Sequence, residues 1–217
     1  LSLSQKGFLA VPPPKRLWMP PTFGSYVGNT TITPTLPAVT VESLFVCILS
    51  ATSGTQPTMV STTGDTWNTW ASQAHPSGSQ SIAAFWALIP PGKTPGVTLT
   101  GASGLRSFWR YPNARIDTLQ FSFGTTTTLD WTAQPTIASG ALLGLYVRMT
   151  TAQTSAAAGL ASAIAAASLT NRTPTSTTAW AGDSGDTNVV AFDPTSGTLD
   201  TAPNRVSAAV FTVKEAE

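Results

Sequence analysis

Charge is scarce in this chain of 217 residues: Lys, Arg, Asp and Glu make up 10% of it, against roughly 25% in an average soluble domain. Eleven basic and ten acidic side chains leave a net charge of +1. The basic residues are scattered, so no stripe is available to neutralise a phosphate backbone, and nucleic acid is not an expected partner. So small a net charge also gives little repulsion between copies. A surface of Thr, Ser, Ala and Gly in place of Lys and Glu suits a protein covered by neighbours. Cysteine occurs once, at Cys47. That excludes a disulfide framework, and its place inside an apolar strand pattern reads as a small buried hydrophobe rather than a nucleophile or metal ligand.

Histidine also occurs once, at His75, within the turn sequence Gln73-Ala74-His75-Pro76-Ser77-Gly78. A Ser-His-Asp site needs an activated serine, and no nucleophile-elbow sequence is present. His75 is therefore expected as a solvated loop residue. A zinc site would need more His and Cys than the chain has. Apolar runs such as Leu44 to Leu49 are far short of the roughly 20 residues that cross a bilayer, so a soluble chain with no membrane partner is expected. From Leu1 onward no charged stretch precedes an apolar one, and no secretory leader is expected.

What the chain does have is a succession of short apolar runs rich in Val, Ile, Phe, Trp and Thr, punctuated by Gly, Pro and Asn. Strands are predicted near 41–50, 57–61, 66–72, 80–89, 96–100, 105–111, 115–123, 127–132, 140–149, 177–181, 187–192 and 205–213. The pattern is all-β, a single β-sandwich or jelly-roll-like domain spanning 38–217. The apolar runs at 42–46 and 139–147 read as paired central strands rather than as a sequence repeat. Between Thr154 and Leu169 the composition turns Ala-rich and uncharged, with Leu160 and Ile164 four apart. That predicts one short helix.

Residues 1–37 differ from the rest. Pro12-Pro13-Pro14, Pro20-Pro21, Pro34 and Pro37 forbid a helix and hold the segment extended, as an N-terminal arm. Lys15, Arg16, Leu17, Trp18 and Met19 lie between the prolines. Apolar side chains of that size either pack back on their own domain or reach a neighbouring subunit. A second group, Arg106, Trp109, Arg110, Tyr111 and Arg115, is the densest mixture of Arg and aromatics. It reads either as a protein–protein hot spot or as Arg stems lying over aromatic faces.

The acidic residues give no catalytic set. Asp65, Asp117 and Asp130 are candidates for a carboxylate pair, with nothing in their spacing to join any two. Asp183, Asp186, Asp193 and Asp200 form a loose cluster whose spacing does not match an EF-hand loop, and Asp in Gly-containing turns is expected on conformational grounds. No catalytic residue, metal ligand or cofactor is assigned. Six tryptophans, Trp67, Trp70, Trp86, Trp109, Trp131 and Trp180, fall in predicted strands as core. Trp67 and Trp70, three apart, point to opposite faces.

The stretch Val60-Ser61-Thr62-Thr63-Gly64-Asp65-Thr66-Trp67, then Ser81-Ile82-Ala83-Ala84-Phe85-Trp86-Ala87, then Gly92 to Thr100, resembles a β-sandwich module of tailed-bacteriophage virion proteins. It looks most like minor tail proteins of phages infecting actinobacteria. The likeness extends over most of 39–213, including Ala208-Ala209-Val210-Phe211. It implies a non-enzymatic structural protein of the virion, assembled in the host bacterium's cytoplasm. Its partners would be other virion proteins and copies of itself. The alternative on the same fold is a module that binds a host-surface glycan or receptor through exposed aromatics.

Overall fold

The computed structural model describes residues 21–124, 128–129, 141–150, 169–173, 178–186, 197–198 and 205–216. Among them the chain forms β1 (Ser25–Asn29), β2 (Ser43–Ala51), β3 (Thr58–Ser61), β4 (Asn68–Ala74), β5 (Ser81–Ile89), β6 (Val97–Thr100) and β7 (Arg106–Pro112). There follow β8 (Ala114–Gly124), β9 (Thr128–Leu129), β10 (Leu142–Met149), β11 (Thr170–Asn171), β12 (Ala179–Asp183), β13 (Gly197–Thr198) and β14 (Val206–Glu215). Two five-stranded antiparallel sheets stack face to face. The first has the order β1-β7-β2-β5-β4 and the second β11-β12-β10-β14-β8. Two-stranded pairs β3-β6 and β9-β13 complete the described structure. The described residues form the expected all-β sandwich, and β2 and β10, the strands predicted to be central, each lie in the middle of a sheet.

All nine residues of β2 are buried, because the first sheet is covered on both faces. Leu44, Val46 and Ile48 point toward the second sheet and meet Leu142, Tyr146, Ala209, Phe211 and Val213. Phe45, Cys47 and Leu49 point the other way and pack under Leu36, Val39, Val97 and Leu99, with Met59 and Trp67 at the margin. A strand sandwiched between two apolar layers has no polar face, so its sequence runs apolar without alternation. β10 and β14 obey the same rule: Leu143, Leu145, Val147, Ala208 and Val210, on the face turned away from the first sheet, have no exposed surface either.

The chain passes between sheets at a sharp corner, Pro112-Asn113-Ala114, where β7 ends and β8 begins. Asn113 sits at φ 55, a left-handed conformation that Asn tolerates better than most side chains. Its N–H donates to Glu42 O and its carbonyl accepts from Ala216 N, so the corner is tied to both layers.

Residues 21–37 belong to the sandwich. β1 pairs with β7 from Ser25↔Arg110 to Asn29↔Arg106, and Leu36 is in the core. Prolines at 20, 21, 34 and 37 bracket a proline-free stretch, which is free to donate to a sheet edge. The boundary expected at 37 therefore crosses a continuous fold. Residues 154–168, where most of the helix was expected, and the strand expected at 187–192 lie outside the described residues.

The middle of the core is organised around Phe211. It stands directly opposite Gly144 in the β10–β14 ladder, and its ring lies over that glycine, where any Cβ would overlap it. Ring centroids of Trp109, Trp70 and Tyr111 lie 5.0, 6.3 and 6.3 Å from it, all edge-on. Such pairs are worth roughly 0.5–1.5 kcal/mol each beyond their burial. Gly144→Ala is expected to displace the ring and lower stability by about 1–3 kcal/mol, as for other overpacked cores, read from the urea unfolding midpoint; an unchanged midpoint would mean the ring is free to move.

Candidate functional site

The Arg/aromatic group, four residues on β7 and Arg115 at the start of β8, turns out to be a seat for the chain's own N-terminal segment. β7 alternates: Ser107, Trp109 and Tyr111 face the second sheet, while Arg106, Phe108 and Arg110 face away. On the inner side Tyr26 packs edge-on against Trp109, centroids 5.4 Å apart, and its hydroxyl is 2.9 Å from Ser107 Oγ. Phe23 meets Tyr111 at 6.1 Å. On the outer side the Arg106 guanidinium donates to the carbonyls of Thr30, Gly104 and Ala102. Arg110 donates to Ala38 O at 3.3 Å, while its own carbonyl accepts from Gly24 N at 2.8 Å. Arg115 pairs with Glu42 at 2.8 Å. All five residues singled out from the sequence therefore touch the stretch between Phe23 and Glu42.

Burial changes their reading. Trp109 and Tyr111 have no exposed surface and Arg106 is 5% exposed, so these three do not present a hot spot on the outside of the folded chain. The period-2 spacing of Ser107, Trp109 and Tyr111 was the signal that put both aromatics on the core face. Lys15, Arg16, Leu17, Trp18 and Met19 lie outside the described residues.

The segment is latched at its start by a second cluster. Arg172 and Asp183 form a two-pronged ion pair, Nε to Oδ2 at 2.9 Å and Nη2 to Oδ1 at 2.7 Å. The guanidinium carbon lies 4.0 Å from the centroid of the Phe23 ring, a cation–π contact. Asp183 also accepts from Gly185 N at 2.8 Å, and Asp186 accepts from Phe23 N at 2.7 Å. Hydrogen bonding to Asp183 holds the Arg172 guanidinium above its ordinary range, against the opposing effect of burial. Two of the four carboxylates in the expected acidic cluster are thus engaged in holding the N-terminal segment; Asp193 and Asp200 lie outside the described residues. Among the described residues no three His, Cys, Asp or Glu side chains gather at one point.

The other candidates for chemistry are also occupied in holding segments together. His75 is buried, 5% exposed, contrary to the solvated loop expected. Its Nδ1 accepts from Ser77 N at 3.1 Å, Nε2 lies 3.3 Å from Gly124 O, and its ring stands edge-on to Phe123. Gly124 ends β8 and His75 follows β4, so the imidazole bridges the edge strands of the two sheets. Asp65 accepts from Thr63 Oγ1 and pairs with Lys93 at 3.4 Å, while Asp117 accepts from Thr212 Oγ1 at 2.8 Å. They serve separate places; Asp130 lies outside the described residues. Trp67 and Trp70 do point into opposite layers, and both, like Trp86, are half-buried against the core rather than spread on an exposed face.

No protein-family model matches this chain, and neither a curated protein nor a solved structure does. Among the described residues no helix is long and apolar enough to cross a membrane.

Two outcomes follow from the geometry. Arg172→Met leaves the Asp183 carboxylate buried without its partner, and should destabilise the fold by about 3 kcal/mol, measured by chemical denaturation; Arg172→Lys, which lacks the fork, should recover only part of it. The three tyrosines are the second case. Burial raises all three phenols, Tyr26 and Tyr111 among them, with Tyr146 pushed up to about 12 despite the hydrogen bond from Ser50. The unfolded chain releases these protons near pH 10 while the folded chain keeps them. Stability is therefore fully present below about pH 10 and is lost as pH rises through about 12. Tyrosinate absorbance should stay flat above pH 10 and then climb together with loss of the native circular dichroism; independent ionisation near pH 10 in folded protein would contradict it.

Proposed function

We propose that this chain is a non-enzymatic structural protein of a bacteriophage virion, a minor tail or surface-attached subunit that docks through its N-terminal segment and sandwich surfaces. The observation that carries this reading is where its ionisable and aromatic side chains are spent. Arg106, Arg110, Arg115, Arg172, Asp183 and Asp186 all fasten the stretch 23–42 to the sandwich. A protein that commits its few charges to seating one segment is organised around attachment. The scarcity of charge elsewhere favours a surface that meets other subunits, and the likeness of residues 60–100 to virion sandwich modules points the same way.

The seat sets where the chain can be shortened without losing part of the sandwich. Removing residues 1–37 would strip β1 and Leu36 from the fold, whereas removing residues 1–20 leaves every described contact in place. A chain lacking 1–20, which keeps β1 and Leu36, is expected to fold and to be lost from assembled particles. Incorporation at the full-length level would remove the leading segment from the docking role.

A further inference from the structure

We propose that the strand Ser25–Asn29, with Phe23 and Gly24 ahead of it, is exchanged between copies of this chain, each copy's strand filling the β7 seat of another. The exchange rests on the assembly reading above and names its partner, a second copy, and its element.

The seat is cut for this sequence. Phe23 fills the space between Arg172 and Tyr111, and Tyr26 supplies both a ring to Trp109 and a hydroxyl to Ser107. Gly24 lies so close that a Cβ would be 2.8 Å from Arg110 Nε. An unrelated strand meets few of these conditions, while a second copy meets all of them.

The seat cannot stand empty either. Withdrawing β1 would uncover Trp109 and Tyr111, two of the largest fully buried side chains, and an exposed aromatic patch of that kind is filled by whatever fits. Exchange between identical chains keeps every contact and changes only which chain supplies it.

The connection favours reaching out. Beyond Asn29 the chain bends through residues 30–33 and meets Pro34. The bend is held from within, where Thr30 O accepts from Arg106 and Ile32 O from Leu99 N, and Leu36 enters the core just after it. A connection this short between a strand and its next anchor is the kind of hinge across which strands are exchanged. Two polar atoms on the outer face of the seam, Ser25 Oγ and Arg110 Nε, are buried with no hydrogen-bond partner among the described residues. Buried polar atoms left unpaired weaken the contact that contains them.

Register supplies the test. Ser25 lies opposite Arg110, within disulfide reach for directly paired strand residues. A Ser25→Cys chain bearing a mass tag is mixed with an untagged Arg110→Cys chain, refolded together and oxidised; Cys47, buried, stays out of the reaction. Exchange predicts a tagged–untagged disulfide dimer on a denaturing gel, lost on reduction. In case Arg110→Cys impairs folding, a second variant carries a short Gly/Ser insertion between Thr31 and Ile32 in the otherwise native chain. A longer hinge favours closure of β1 on its own β7 over exchange, and should shift sedimentation toward monomer. Association that persists unchanged with the insertion, and without the mixed disulfide, overturns the exchange and leaves the assembly reading standing. A chain that stays monomeric at every concentration, with Ser25→Cys/Arg110→Cys closing only within one molecule, overturns both.

Discussion

Everything in this sandwich is arranged around a bare patch of backbone. Gly144 has no side chain where the Phe211 ring must lie, and the two residues face each other across the β10–β14 ladder. A slip of one residue would set Phe211 against Leu143 or Leu145 and turn its ring to the opposite face of the sheet. The ring so placed reaches across the gap to Trp109 and Tyr111 on β7 and to Trp70 beside β5. One glycine thereby fixes the register within the second sheet and the contact between the sheets. The position of β7, and with it the seat for β1, follows from that contact.

Elements whose burial is symmetrical were easy to read in the sequence. β2, β5 and β14 announce themselves as apolar runs of strand length, and their observed bounds depart from the expected ones by at most two residues. β1 was hidden because its neighbours are prolines: Ser25-Tyr26-Val27-Gly28-Asn29 is short, contains glycine and makes sense only beside β7. His75 was misread for a related reason. A turn sequence says where the chain bends, but not that Phe123 and Gly124, some fifty positions later, close over the imidazole. Contacts between residues so far apart leave no local pattern.

The Arg/aromatic group on β7 is the instructive case. Its composition is that of a binding surface, and it does bind, but within the same molecule. The chemistry that recognises a partner is indifferent to whether the partner is covalently attached, so composition alone marks an interface without saying whose it is. Alternation along β7 adds what composition lacks: Trp109 and Tyr111 hold the inner side of the segment, Arg106 and Arg110 the outer. The same division runs through the polar groups of the second sheet. Tyr146 donates to Leu105 O and accepts from Ser50, and Ser207 donates to Gln80 at 2.8 Å. Directional bonds of this kind cross the space between layers, where apolar contact alone would permit sliding.

Cys47 has a quieter consequence. It is the chain's only thiol, closed in between Phe45 and Leu49 on the covered face of β2, and burial pushes it well above the ordinary range. Thiol reactions proceed through the thiolate, which the intact fold neither forms nor exposes. The folded chain is accordingly indifferent to whether its surroundings are reducing or oxidising, and an alkylating reagent that does label it reports that the layers have parted.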